Sequence, residues 1–487
     1  METPNSPEPS NERTLSSNTA IQAAFSALPI AQAPLYPLES DNGQIVLHEG
    51  KVTVVLAGIT VESNGTIIWS MRRSPTLFAF VEYNVPSDAS PDFRTDDGTL
   101  AASVEFNDLP GSPAFQAEAT ALHAIPGSKN GLPVRLGVPV TVGADKLVQR
   151  VVFHVLNVPA FQGFGVNRST DDRFEVGYTR LRFDTDGIWH VLMDRVPNDK
   201  KVYEDLDNDG GIAVTHIGTI EHLDGTLVKL ADVDGMLTLV GFALSFCSGQ
   251  WSLPFLRVGL DDDGNQQSFS WRAPRTSNWN SKYTWYPRSD EYALQQFLTG
   301  FSSRWHEAAW EQPIRIAINW YIQALDPDTL DTGIVLAHAA LEVLAYTLAV
   351  EAPPPGVDPQ IPGKYNRESA DVKVDRLLKS LGVTTIVPSH MSDLLALVPT
   401  CRAEIKPPSR QSTIVIEGPF LISYVRNAVL HGNRLSQLIA FSTDTRLEAW
   451  QLSVWYLELA ILKLCGYSGQ CVNRVSPNKW YEEVLVP

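Results

Sequence analysis

Cysteine is scarce. The chain of 487 residues has four (Cys247, Cys401, Cys465 and Cys471), none in a C-x-x-C pair and none beside a histidine at zinc-like spacing. That pattern argues against a disulfide framework and a structural zinc site. Unbroken apolar runs of the roughly 18–20 residues that span a bilayer are missing too. The longest candidate, VLAHAALEVLAYTLAV, is interrupted by His338 and Glu342. The amino terminus, METPNSPEPSNERTLSSN, has acids and prolines where a secretory signal carries basic and then apolar residues. Residues 1–35 therefore read as a disordered tail, with a cytoplasmic location and no membrane partner. Neither a lysine-bearing phosphate loop, nor G-x-S-x-G, nor H-E-x-x-H occurs. Positive charge is short as well: 38 Lys+Arg face 55 Asp+Glu, for a net of −17. A broad electrostatic nucleic-acid platform is thereby disfavoured. Residues 301–487 hold 16 basic and 19 acidic residues, a net of −3, which leaves −14 on residues 1–300.

What is present divides the chain in two, as its length suggests. Residues 36–300 read as β-rich. GKVTVVLAGITV, LVQRVVFHVLNV and MLTLVGFALSF are short β-branched or aromatic runs. Asn-Gly and Asp-Gly steps at Asn64-Gly65, Asp186-Gly187, Asp209-Gly210, Asp224-Gly225, Asp234-Gly235 and Asp263-Gly264 are hairpin signals between such runs. The expectation is an antiparallel, sandwich-like domain, with an open barrel as the alternative. Residues 301–487 switch to helical period. PIRIAINWYIQAL, GIVLAHAALEVLAYTLAV and DVKVDRLLKSLG read as helices, and SHMSDLLALV as one capped by Ser389. EAPPPGVDPQIPGKYNRES reads as a mobile loop between them. GPFLISYVRNAVLHG has Pro419 in its first turn and Gly432 past its end. The last helix, from Thr443-Asp444 to Gly466, is apolar nearly all round, so a bundle with a dimer seam is expected. The class is α+β: a β-sandwich-like domain followed by an all-α bundle.

Several polar features compete for function. DLDNDGGIAVTH imitates a calcium loop through Asp205, Asp207 and Asp209, but its twelfth position is His216 rather than a glutamate. A hairpin turn is the better reading. His154 lies in a strand run and reads as a half-buried structural residue. His338 and Glu342, four apart on one helical face, suit either two metal ligands or a satisfied polar pair, and the pair is the commoner outcome. The join at 268–310 carries Trp271, Trp279, Trp285, Trp305 and Trp310 among Arg272, Arg275, Lys282 and Arg288. Interdomain packing and single-stranded RNA stacking both fit that composition, with packing the more frequent.

The remaining constellation is Arg426-Asn427-Ala428-Val429-Leu430-His431, at the end of a helix that stops on glycine. YVRNAVLHG, the earlier helix HAALEVLAY and the long final apolar helix resemble the HEPN superfamily. More specifically, the chain is similar to the ApeA-like, abortive-infection branch, in which a β-rich domain precedes the HEPN bundle. The family pattern is an arginine, a short spacer and a histidine, commonly with a polar residue after the arginine. Arg426, Asn427 and His431 fit it. The resemblance implies a metal-independent endoribonuclease that acts as a homodimer in antiphage defence. It requires no cofactor, and its β-rich domain would sense a phage-derived or nucleotide trigger.

Elementary chemistry agrees with that implication. RNA carries its own nucleophile, the 2′-hydroxyl, so the protein has only to move protons and stabilise charge. Histidine does the first near neutral pH. A guanidinium suits the equatorial phosphate oxygens. Asn427 can orient the histidine or the phosphate without titrating. Cleavage would leave 2′,3′-cyclic phosphate and 5′-hydroxyl ends. Five helical residues turn about 500°, so Arg426 and His431 diverge by about 140° around the axis. One motif is thus a sparse site, and two facing each other across a twofold axis make a fuller one. The alternative function is a non-catalytic binding or sensor module, in which Arg426 pairs with an acid and His431 ends a helix.

Overall fold

The computed structural model describes residues 27–486 apart from 39–42, 57–58, 72–75, 85–98, 108–114, 121–128, 137–139, 170–174, 186, 327, 407–413 and 478–481. Its β-rich half is two bodies rather than one sandwich. The first is a closed antiparallel barrel of β1 (Gln44–Leu56), β2 (Ile59–Ser70), β3 (Thr76–Asn84), β4 (Thr99–Phe106), β5 (Phe115–Thr120) and β6 (Lys129–Leu136). Strand order is β1-β2-β3-β6-β5-β4, and the ring closes by pairing β1 with β4.

The second is an eight-stranded antiparallel sheet in the order β7-β14-β13-β8-β12-β11-β10-β9. Its strands are β7 (Val140–Val142), β8 (Arg150–Leu156), β9 (Phe164–Asn167), β10 (Val176–Thr185), β11 (Trp189–Arg195), β12 (Val214–His222), β13 (Pro254–Leu260) and β14 (Gln266–Trp271). Both faces of its central strand are covered. Val151, Phe153 and Val155 join the core shared with the helices, while Val152 and Leu156 join the core shared with the barrel. That explains why β8 is buried without a break from Val151 to Leu156, where a one-sided antiparallel strand would alternate.

Two helices interrupt the sheet where strands or turns are expected. MLTLVGFALSF belongs to α2 (Asp234–Ser248), after α1 (Asp199–Asp209). An apolar run of that length fits a buried helix as well as a strand, and periodicity cannot separate the two. Here α2 packs against β13 and against two helices of the following half, so it is buried on several sides. The DLDND stretch is part of α1, neither a calcium loop nor a hairpin turn: Val202 and Leu206, one turn apart, are buried, and Lys201 bridges to Asp205 at 3.0 Å. The glycine steps divide accordingly. Gly187 (φ +66°) and Gly264 (φ +81°) turn the β10–β11 and β13–β14 hairpins. Gly65, by contrast, sits inside paired β2, where a Cβ would come within 2.6 Å of the Val52 side chain.

The second half is helical: α3 (Ala293–His306), α4 (Glu311–Leu325), α5 (Leu330–Tyr346), α6 (Ala370–Ser380), α7 (Gly418–Leu430) and α8 (Thr443–Leu464), closed by a hairpin of β15 (Gln470–Val472) and β16 (Glu483–Leu485). The SHMSDLLALV stretch makes two short turns of helix, Ser392–Leu395 and Val398–Glu404, rather than one helix capped by Ser389. Leu330–Glu351 is long and apolar enough to cross a membrane by length and composition, yet half of that window is buried inside the bundle, where α5 packs against α4, α6, α7 and α8. Of the expected tail, residues 1–26 lie outside the described residues. Residues 30–32 are tied to the sheet: the Ala31 amide donates to Asn167 O, and the Gln32 amide to the Asp194 carboxylate at 2.8 Å.

Candidate functional site

Helix α7 brings the RNAVLH residues to the flank of α5. Pro419 lies in its first turn, where a missing N–H costs nothing. Gly418 is pressed against the Tyr456 hydroxyl of α8, so a side chain there would collide with it. Leu421, Ile422, Val425 and Ala428 face the core. That burial turns Arg426 and Asn427 toward the half-buried rim and leaves His431 exposed just past the helix end, where the backbone becomes extended. The His431 backbone amide still donates to Asn427 O at 3.1 Å, and Gly432 opens a short 3-10 turn.

Arg426 meets an acid. Its Nη2 donates to Glu342 Oε1 of α5 at 2.8 Å, and its Nη1 to Asn427 Oδ1 at 3.0 Å. Asn427 thus orients the arginine rather than the histidine. Glu342 Oε1 also meets His338 Nδ1 at 3.1 Å, and His338 Nε2 lies 2.7 Å from Ser423 Oγ on α7. The result is a continuous chain, Ser423–His338–Glu342–Arg426–Asn427, running from a fully buried imidazole to a rim guanidinium that is 19% exposed. His338 and Glu342 are therefore a satisfied polar pair. No group of three or more His, Cys, Asp or Glu side chains gathers to hold a metal ion among the described residues. Burial pushes the Glu342 carboxyl up. The His338 hydrogen bond, with the charges of His338, Arg426 and Lys373, outweighs burial and holds it below the usual carboxylate range.

Beside this chain opens a cleft of about 480 Å³, whose walls include Glu342, Tyr346, Tyr365, Asn366, Lys373 and Gln312. Ligand sites commonly fall between about 300 and 1,000 Å³. The proline-rich 352–369 segment, expected to be mobile, builds one wall. It is tied down by the Gln360 amide on Ala349 O and by Arg376, which bonds Gln360 and Glu368. Tyr365 and Lys373 carried no sequence signal, because neither sits at a motif spacing. Ser423 was equally silent: a serine inside a helix is legible as a partner only once His338 is seen opposite.

The other candidates resolve as structure. His154 is fully buried, its Nδ1 3.2 Å from Leu256 O, and burial pulls its pKa down to about 4. His216 is likewise buried, and burial, then the nearby Arg195, lowers it to about 3. At the join, Trp285, Trp305 and Trp310 are buried in the core shared by the sheet and the helices, and Trp271 in the core between the sheet and the barrel, so none of the four can stack on RNA bases. Trp279 is half-buried against Tyr203 and donates to Asp207 at 2.8 Å. Lys282 bridges to Asp326 at 2.7 Å, and Arg275 lies over the Trp251 ring.

Comparison with known proteins follows the same division. Residues 143–282, which hold the sheet apart from β7, match the YopA central domain, and residues 307–486, which hold the bundle apart from α3, match the YopA C-terminal domain. Over 445 residues the chain is 23% identical to the SPbeta prophage-derived uncharacterized protein YopA of Bacillus subtilis (strain 168), covering 90% of this chain and 93% of that protein. No solved structure matches.

Proposed function

We propose that the helical half is a HEPN-type, metal-independent endoribonuclease that acts in cytoplasmic antiphage defence as a homodimer. The observation that carries this reading is the pairing of two unlike basic groups at one end of α7. Arg426 is a permanent cation held on the half-buried rim by Asn427 and by Glu342, itself a wall of the cleft, and His431 is an exposed imidazole. The first is suited to a phosphorane, the second to general acid–base work. Close to His431 in the chain, three large apolar side chains are exposed among polar ones: Leu430 is 47% exposed, Leu435 55% and Ile439 72%. A second copy covering that patch would bring two histidines together and supply the fuller site that one motif lacks. The prophage origin of the similar protein fits a role in conflict between phage and host. Purified protein incubated with mixed RNA in EDTA should leave 2′,3′-cyclic phosphate ends, and the His431→Ala variant should leave none. Equal cutting by both would sink the reading.

One observation favours a second reading. Glu342 already holds Arg426 at ion-pair distance, so the arginine could serve the fold alone and the bundle could be a binding or sensor module. In that case Arg426→Ala and His431→Ala would both leave every RNA-dependent property unchanged.

A further inference from the structure

We propose that Glu342 stands in for an RNA phosphate on Arg426, so that a substrate strand must displace it before the guanidinium can act. The inference rests on the ribonuclease reading for the identity of the displacing group, while the exchange itself can be measured without cleavage.

The contact between the two side chains is only half made. A guanidinium presents its Nε–H and one Nη2–H side by side, an edge that fits two oxygens of a carboxylate or a phosphate. Arg180 gives that edge to both oxygens of Asp194, at 3.0 and 2.6 Å. Arg474 gives it to both oxygens of Glu458, at 2.9 and 2.7 Å. Those two pairs are buried and serve the fold. Arg426 instead offers Glu342 only Nη2, and its Nε is buried with no hydrogen-bond partner among the described residues. The oxygen that Nη2 meets, Oε1, is shared with His338. An orphaned N–H beside a singly bonded Nη2 gives a two-oxygen acceptor more to gain than Glu342 now gains. The phosphodiester of RNA is such an acceptor, anionic and with a pair of non-bridging oxygens.

The exchange strands neither partner. Where Arg426 now lies, Nε is covered. Its side chain is 19% exposed, however, and turning it outward on release from Glu342 brings Nε out together with Nη2. Glu342 keeps its bond to His338 and is 26% exposed, so water can take the side that Arg426 leaves. His338 in turn stays fixed through Nε2 to Ser423 Oγ at 2.7 Å. A single, half-buried ion pair of modest strength is thereby replaced by a pair of parallel charge-assisted bonds.

The test uses the full-length protein and a 2′-O-methyl hexaribonucleotide, which carries the phosphodiesters but lacks the attacking hydroxyl. Glu342→Gln keeps an oxygen for His338 and removes the charge, and it should tighten hexamer binding by about three- to tenfold. That gain should vanish when Arg426→Gln is added. Glu351→Gln, which removes another carboxylate from the same cleft, should change affinity by less than about twofold. Phenylglyoxal labelling, located by peptide mass, gives a second measurement that needs no variant. In the wild type Arg426 should label faster than the doubly bonded Arg180 and Arg474, and the hexamer should protect it. Unchanged or weaker hexamer binding by Glu342→Gln, a gain that survives Arg426→Gln, absence of binding at millimolar concentration, or Arg426 labelling that the hexamer leaves unaltered overturns the proposal. Tighter binding by Glu342→Gln in a protein that cuts no RNA keeps the exchange and removes the nuclease. Cleavage that depends on His431, without either response at Arg426, does the opposite.

Discussion

Glu342 and Arg426 stand 84 positions apart in the chain and meet at 2.8 Å, with the buried His338 sharing the same carboxylate oxygen. Two facing helices, α5 and α7, make that contact, and each contributes one fully buried core side to hold it. Glu342 is a positioning residue in this arrangement. It sets where the guanidinium lies, and it touches Arg426 rather than any reacting atom.

The first expectation is energetic. If the pair is a true contact rather than two neighbours, single replacements Glu342→Ala and Arg426→Ala will not add. A double-mutant cycle read by urea unfolding should give a coupling of about 1 kcal/mol or more, since half-buried charge-assisted bonds contribute at that level. Additivity within about 0.3 kcal/mol would show the two side chains to be energetically independent.

His431 should separate function from stability. It is exposed and ends its helix, so His431→Ala should shift unfolding free energy by no more than about 0.5 kcal/mol. Loss of a general acid–base group should meanwhile lower RNA cleavage by about 10²- to 10⁴-fold. Melting curves and cleavage rates on the same preparations check both halves of the statement. A variant that keeps full activity would remove His431 from the chemistry.

Oligomer state should follow the apolar rim of the motif. Leu435 and Ile439 belong to a short helix, Leu435–Ala440, none of whose residues is buried. Light scattering coupled to size exclusion should give twice the 53.7 kDa chain mass for the native protein. Leu435→Glu with Ile439→Glu should return one chain mass and abolish cutting together. A monomer that cuts as fast as wild type would refute the composite site.

Acid should destabilise the sheet through its buried histidines. Burial lowers the His154 pKa from 6.5 to about 4 and that of His216 to about 3. Both are neutral in the folded protein while the unfolded chain takes up protons near 6.5, so stability is complete above that value and falls as pH drops toward 4. One such group with a shift of about two units contributes about 3 kcal/mol across this window. His154→Phe should flatten the pH dependence of chemical denaturation between pH 6.5 and 4 by about one proton. An unchanged slope would mean that His154 is not the titrating group.

Much of the helical half was legible in order and type. PIRIAINWYIQAL, GIVLAHAALEVLAYTLAV and DVKVDRLLKSLG lie in helices because helical period and end signals are local properties of the chain, and Gly382 does take a positive φ just past α6. The β half was legible only as a class. Gly187 and Gly264 turn hairpins, yet Asn64-Gly65 lies inside a strand and Asp234-Gly235 opens a helix.

The amino-acid sequence by itself determined the α+β division, the end of α7 just before His431 and the spacing that sets His338 and Glu342 on one face. All of these follow from neighbours within a turn or two. Only the tertiary structure decided that β strands form a barrel and a separate two-faced sheet, that four of the five tryptophans of the join are buried, and that Glu342 reaches Arg426. Those outcomes depend on which distant surfaces bury one another, and local periodicity carries no record of a partner 84 residues away.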